Sequence, residues 1–416
     1  MTIGNFDVVV IGSGAFGASV AFHLSAAGRN VALIDQAAIA SQTSPRAAGL
    51  TGQVRRSEMM THIASHSVKK IIEFTEETGE PLEYFQTGSL TLARTAEHAT
   101  LIHGGVELGK YMGLDVDLVS AEEAAQLMPF LNPKDILAAG YVRSDVYLDP
   151  GQLPLGYARA AQKLGATLLP HTKIEQIIVE RGQVTGVATS RGDLKAPVVV
   201  DAAGGWLRLV ASFAGVALPA FPVRHQLMVT EPLAEVTSAQ PTVRILDANI
   251  YIRPDRGGLM FGGYESNPIF YGANSMGKDF RIEDLDLDID VLKRLAKSVE
   301  AQFPVFRDVA IKEHRGGLPT MTTDGDHILG PVPGVAGLYA IGGCNVGGFS
   351  VSPALGELLA NWIIAGRPSM NLSRMLPSRF VEKLPESDML EQCRSRYANY
   401  YSANPTENRT SAETPR

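Results

Sequence analysis

Cysteine is scarce in this chain, with Cys344 and Cys393 the only two. Two thiols cannot make a disulfide framework, and their spacing fits no metal motif, so a reducing compartment is expected. Long apolar runs are missing as well. The run Phe6–Ile11 is short, has no basic segment before it and leads straight into a glycine turn, which argues against a signal peptide or a membrane span. No other stretch approaches the length of a spanning helix, so a cytoplasmic location is expected. Neither sign of charge dominates. The 37 Lys and Arg against 44 Asp and Glu give a net charge of −7, which does not point to nucleic acid. Hydrophobic residues at 45% and charged residues at 19% are ordinary for a globular protein, and 416 residues suffice for two domains.

Glycine, in contrast, is plentiful at 41 residues, and its placement is informative. Asp7–Ile11 reads as a buried parallel strand, Ala15–Ala27 as a helix stopped by Gly28, and Val31–Ile34 as a second strand. Between the first strand and the helix stands Gly12-Ser13-Gly14-Ala15-Phe16-Gly17, a G-x-G-x-x-G fingerprint in the context the motif requires. Gly12 permits the tight turn, Gly14 lets backbone approach a pyrophosphate, and Gly17 allows close helix–strand packing. The helix start at Ala15 offers free N–H groups to phosphates. Asp35, followed by Gln36, ends the second strand, where an acid accepts ribose hydroxyls. By itself this unit is compatible with NAD or FAD.

Ala37–Gly52 is a small, polar loop, and His62–Glu77 and Leu155–Leu164 read as helices. Lys173–Val179, Val184–Thr189 and Pro197–Val200 suggest a meander returning to a buried strand. Ala220–Gly263 alternates apolar and aromatic residues as antiparallel sheet does. Leu285–Phe303 reads as a helix, Leu338–Gly342 as a strand, and Pro353–Ala365 as a helix closed by Gly366. Asn404–Arg416 is polar and expected to be poorly ordered. Glu73, Glu76, Glu77, Glu80 and Glu83 read as a solvated helix face. Asp324-Gly325-Asp326-His327 suits a turn better than a metal site, and no metal is expected.

Two later segments favour FAD: the buried strand and small-residue turn Val198–Trp206, and Leu338–Ser350, a glycine-rich turn entering a helix. A helix N-terminus there suits an anionic reduced isoalloxazine. Together with Gly317–Gly330 these segments resemble the D-amino-acid-oxidase-type flavoproteins, which include glycine oxidase, sarcosine oxidase, and the dimethylglycine and sarcosine dehydrogenases. The resemblance covers nearly the whole chain. It is nearest to the flavin half of the two dehydrogenases, through Thr43–Leu50, Tyr251-Ile252-Arg253-Pro254, Gly262-Gly263-Tyr264-Glu265, and the tail from Ser378-Arg379-Phe380 to Arg396–Tyr401.

The resemblance implies an α/β plus α+β fold. A glutathione-reductase-like, FAD-binding Rossmann-type domain (residues 1–83, 146–219 and 316–372) would carry an inserted, mainly antiparallel substrate domain (84–145 and 220–315), with a C-terminal extension over 373–416. Expected cofactor contacts, beyond the fingerprint, Asp35 and Gln36, are Ser44, Arg46, Ala48, Gly49 and Leu50. Lys173 and Ile174 join them, with Ala203, Gly204 and Trp206, and finally Gly342, Gly347, Gly348, Phe349 and Ser350. The dehydrogenase histidine that bonds FAD matches Arg46, and the sarcosine oxidase cysteine that does so matches Gly317, so FAD is expected to be non-covalent. Cys344 reads as core filler. The lysine that assists oxygen in monomeric sarcosine oxidase matches Met260, and the carboxylate-binding arginine of glycine oxidase matches Pro319. The dehydrogenases continue into a tetrahydrofolate-binding domain where this chain stops, so an aldehyde product would pass directly to solvent.

His225 and Tyr264 match positions beside the flavin in dimethylglycine-oxidase-like enzymes and are the catalytic candidates, while Tyr251 and Arg46 are candidates for binding substrate. Arg253 is the first candidate for a substrate carboxylate, with Arg46, Arg224 and Arg315 as alternatives. The expected activity is oxidation of a secondary or tertiary amine, such as an N-substituted glycine, to an imine that hydrolyses to amine and aldehyde. The acceptor would be O2 or another carrier. A dehydrogenase for D-amino acids or proline-type imino acids, feeding a quinone or a partner subunit, and a flavin-binding subunit of a hetero-oligomer are the alternatives.

Overall fold

The computed structural model describes residues 2–272, 276, 280–380 and 384–402. The polar tail expected to be poorly ordered, Asn404–Arg416, lies outside them. Val8–Ile11 and Val31–Ile34 are wholly apolar and wholly buried, as strands covered on both faces must be. They lie at the centre of a six-stranded sheet ordered Ile328–Pro331, Leu338–Gly342, Val198–Asp201, Val8–Ile11, Val31–Ile34, Thr167–Leu169. All neighbours are parallel except the first pair. Helix Ala15–Ala26 packs between this sheet and helices Gln152–Lys163 and Ser352–Ala365, and is buried from Ala15 through Ser25. This all-round apolar character lets it sit inside the domain rather than on it.

A second sheet has eight strands, ordered Ile311–Gly317, His225–Thr230, Gly258–Gly263, Ile250–Asp255, Thr242–Ile245, Ser89–Ala93, Ala138–Val142, Val116–Val119. Its pairs are antiparallel save Thr242–Ile245 with Ser89–Ala93, where two distant stretches of chain meet. The expected meander forms Ile174–Glu180, Gln183–Thr189 and Asp193–Lys195. A strand not foreseen, Thr2–Asn5, adds in parallel to its edge. Its short polar run carries no strand signal; pairing with Asp193–Lys195 imposes the conformation.

Other boundaries shifted for local reasons. The first long helix begins at Glu58, because the Ser57 side chain accepts from Met60 N–H, and it ends at Ile72 before a separate short helix, Phe74–Thr78. The expected helix over Leu285–Phe303 is confined to Ile289–Ser298, since Asp288 caps its start. The acidic run is not uniformly solvated: Glu77 pairs with buried Lys70 at 2.6 Å, and buried Glu80 with Lys163 at 2.6 Å. Asp324 and Asp326 do form a turn, held by Arg379 and Arg374. The final helix, Glu386–Ala398, buries Cys393 and Tyr397 beside Phe221, Tyr251 and Met321. No described helix is long and apolar enough to cross a membrane.

Candidate active site

The carboxyl ends of the parallel strands open onto a cavity of about 280 Å³ that runs from the six-stranded sheet to the eight-stranded one. That is where open α/β sheets hold ligands. At one end it is lined by Gly12, Gly14, Ala15 and Phe16, with Asp35, Gln36, Lys173 and Ile174 beside them. Gly12 has φ +97°, a region side chains rarely adopt. Gly17 lies behind this wall, not on it. A Cβ there would meet the Gly12 carbonyl oxygen at 1.8 Å, so its part is packing. Asp35 accepts from Ser13 N–H at 2.9 Å, Ser13 Oγ–H at 2.6 Å and Ala37 N–H at 2.9 Å. Burial pushes its carboxyl upward, and these donors oppose that.

The helix Ala15–Ala26 points its start at this cavity, where Ala15 N–H donates to Ser44 Oγ at 2.9 Å, and Gly348–Ser350 of the turn leading into the helix Ser352–Ala365 line it as well. A helix N-terminus carries partial positive charge and N–H groups without intrahelical partners. The walls between them come from Ser44, Arg46, Ala48, Gly49 and Leu50; from Ala203, Gly204 and Trp206; and from Gly342, Gly347, Gly348, Phe349 and Ser350. Arg46 is fixed by Nη1 bonds to the Ser41 and Gln42 carbonyls, both 2.6 Å, and by an ion pair with Glu283 at 2.6 Å.

At the other end His225, Tyr251 and Tyr264 line the cavity with Tyr400 and Tyr401. His225 Nε2 lies 2.9 Å from Tyr251 Oη, and Nδ1 lies 2.7 Å from Tyr397 Oη. Burial holds the imidazole down at about 4, so it is neutral near pH 7. The Tyr264 ring stacks on Tyr400 at 4.0 Å and 9°. Tyr264 meets His225 ring to ring, with centroids 5.1 Å apart, and the hydrogen bond belongs to Tyr251. The candidates are thus brought together with their order changed: Tyr251 is the partner of the histidine.

Arg253 is a correction. It does not line the cavity. Its Nε donates to the Ala48 carbonyl at 2.6 Å and its Nη1 to the Pro254 carbonyl at 2.6 Å, with Asp255 3.4 Å away. It holds the Ala48 loop in place. Of the alternatives, Arg224 is engaged by Glu265 and Arg315 by Glu313. The cations that do face this end are Arg55 and Arg244. Arg55 donates to Ser350 Oγ at 2.8 Å, and its buried Nε has no hydrogen-bond partner among the described residues. Arg244 donates to the Thr51 carbonyl at 2.7 Å. Burial disfavours the Arg55 charge, with Tyr400 opposing this and Arg244 adding repulsion, a situation an anion would relieve. Neither arginine lies in a motif, so no local spacing marks them. Tyr400 and Tyr401 belonged to a recognised tail segment without an assigned role.

The family described as FAD dependent oxidoreductase (DAO) matches residues 7–362. The chain belongs to this family. It is 31% identical to human mitochondrial sarcosine dehydrogenase over 95% of its length, and 30% identical to the mouse mitochondrial pyruvate dehydrogenase phosphatase regulatory subunit over 90%. It spans 44% and 43% of those two proteins. Among solved structures, L-proline dehydrogenase from P. horikoshii superposes with a TM-score of 0.82 at 25% identity, over 91% of this chain and 98% of that one.

FAD is therefore the cofactor, and the residues present fit it. The glycine-lined helix start suits a pyrophosphate, Asp35 the ribose, and the turn Gly347–Ser350 before the second helix a reduced ring. Gly317 lines the cavity beside Thr43. Cys344 packs against the core as expected. It lies on the cavity wall, accepts from Thr320 N–H at 3.3 Å, and its thiol is pushed up by burial.

Proposed function

We propose that this protein oxidises the C–N bond of a secondary or tertiary amine bearing a carboxylate, an N-substituted glycine such as sarcosine, dimethylglycine or iminodiacetate. The observation that carries this reading is the pairing, in one cavity, of Arg55 and Arg244 with the neutral His225–Tyr251 couple. FAD, when bound, accepts the hydride equivalent from the carbon beside nitrogen, leaving an imine that water hydrolyses to amine and aldehyde. The guanidiniums hold the carboxylate. Tyr251 meets the amine, with His225 bonded behind it. Among the described residues the cations facing this end are Arg55 and Arg244, so a protonated amine is disfavoured and the reactive neutral form favoured. The rings of Tyr264, Tyr400 and Tyr401 exclude water around it.

Anaerobic titration of the FAD-loaded protein with sarcosine, dimethylglycine, iminodiacetate and D-proline tests this. Bleaching of the flavin by at least one N-substituted glycine is expected, and bleaching by none of the amines overturns it. Oxygen uptake in the same panel separates O2 from another carrier. A second reading is favoured by the mouse relative, which is named as a regulatory subunit. In that reading the chain binds FAD and turns over only with a partner, and stoichiometric flavin with no bleaching until a partner is added would support it.

A further inference from the structure

His225 touches two phenols, and a neutral imidazole has only one proton to give. The order of donors is set by Tyr397. This residue is buried on the C-terminal helix Glu386–Ala398 and does not line the cavity. Its Oη donates to the Arg224 carbonyl at 3.2 Å. A carbonyl oxygen can only accept, and the phenol has a single proton, so towards His225 Nδ1, 2.7 Å away, Tyr397 Oη must accept. Nδ1 then carries the proton and Nε2 is bare. Nε2 can only accept from Tyr251 Oη–H, 2.9 Å away. The chain of donation runs from Tyr251 to His225 to Tyr397 to the Arg224 carbonyl, and the lone pairs of Tyr251 are left facing the cavity.

The helix that delivers Tyr397 is held at several points. Arg394 Nη1 donates to the Pro268 carbonyl at 2.8 Å, Arg396 Nε to the Thr323 carbonyl at 2.6 Å, and Asn249 Nδ2 to the Ala398 carbonyl at 2.9 Å. The Tyr397 ring meets His225 edge-on, with centroids 5.8 Å apart.

We propose that Tyr397 is a positioning residue: from outside the cavity it fixes the Nδ1–H tautomer of His225 and so turns the Tyr251 oxygen into a hydrogen-bond acceptor for the N–H of a secondary amine. The C-terminal extension is on this account a working part of the site. The tautomer follows from the geometry, and only its kinetic consequence rests on the amine reading.

The test is the imidazole ¹⁵N spectrum of the FAD-loaded protein, with His225 assigned by its loss in His225→Gln. The wild type is expected to show Nδ1–H with bare Nε2. Tyr251→Phe keeps that tautomer, because Tyr397 still accepts. Tyr397→Phe loses it, with His225 turning wholly or partly to Nε2–H, at unchanged flavin content. Nε2–H in the wild type, or pure Nδ1–H in Tyr397→Phe, overturns the proposal. Should Tyr397→Phe not fold, Tyr251→Phe decides: retention of Nδ1–H supports the proposal and its loss overturns it. Tyr397→Phe should also slow bleaching by a responsive amine roughly tenfold, with affinity for a carboxylate ligand unchanged. If no amine bleaches the wild type, the amine reading fails and the tautomer is still read.

Discussion

Tyr251 Oη reaches His225 Nε2 across an intervening strand, and the residue it crosses is Gly262. His225–Thr230 and Ile250–Asp255 both pair with Gly258–Gly263 rather than with each other. A Cβ on Gly262 would lie 2.3 Å from the Tyr251 hydroxyl. The bare backbone at this one position is what allows the two side chains to meet over the middle strand.

Gly262→Ala should therefore push Tyr251 off His225 while leaving the FAD end intact. The rate of flavin bleaching by a responsive amine is expected to fall about 10²-fold, as for loss of one acid–base partner, and Tyr251→Phe to fall similarly. Tyr264→Phe, which removes no bond to His225, should cost much less. Equal losses in Tyr251→Phe and Tyr264→Phe would defeat this assignment; stopped-flow absorbance decides it.

Arg55→Met should weaken a carboxylate ligand by roughly 10- to 100-fold, the ~1.5–3 kcal/mol of a charge-assisted hydrogen bond. Binding of an amine without a carboxylate should change little. Arg253→Met should do the reverse, lowering thermal stability by freeing the Ala48 loop while a carboxylate ligand binds in the stabilised fraction as before. Titration calorimetry and a melting curve separate the two.

Gly17→Ala places a methyl against the Gly12 carbonyl at a distance no contact tolerates. Either the helix or the glycine turn must shift, at a cost of at least about 1–3 kcal/mol for overpacking. Flavin content per chain, from the visible spectrum, should fall.

Stability should decline as pH falls from about 6.5 towards 4. Burial lowers His327 to about 4 and His23 to about 3. The unfolded chain takes up these protons near pH 6.5, whereas the folded one resists until lower pH, so stability rises with pH across this window. Glu357 acts lower still. His66 and Lys70 beside it hold its carboxyl at about 2 against the opposing effect of burial, so its contribution is present above the unfolded value near 4.5 and is lost as pH falls towards 2. Urea titrations across pH should show both slopes, with His23→Phe flattening the first.

Acid denaturation should release the flavin into the supernatant, because neither the Arg46 guanidinium nor Gly317 offers a nucleophile to bond it. Flavin fluorescence remaining on the chain in a denaturing gel would contradict this.

The glycine fingerprint, Asp35 and the buried valine-rich strands were legible because they are local: a turn that needs bare backbone or a strand covered on both faces restricts its own residues, whatever lies elsewhere. The alternating apolar stretch through Gly263 announced the second sheet in the same way. Arg253 was misread because a motif marks a residue without giving its direction, and its guanidinium turned to backbone carbonyls within reach.

The sequence by itself determined the cofactor unit, since phosphate binding at a helix start depends on residues a few positions apart. Only the tertiary structure decided which side chains share the substrate end. Arg55, Arg244, Tyr251, His225 and Tyr397 come from separate stretches of chain, and their meeting depends on strand order, on Gly262 between two strands, and on where the last helix docks. Those are long-range packing outcomes that no local spacing encodes.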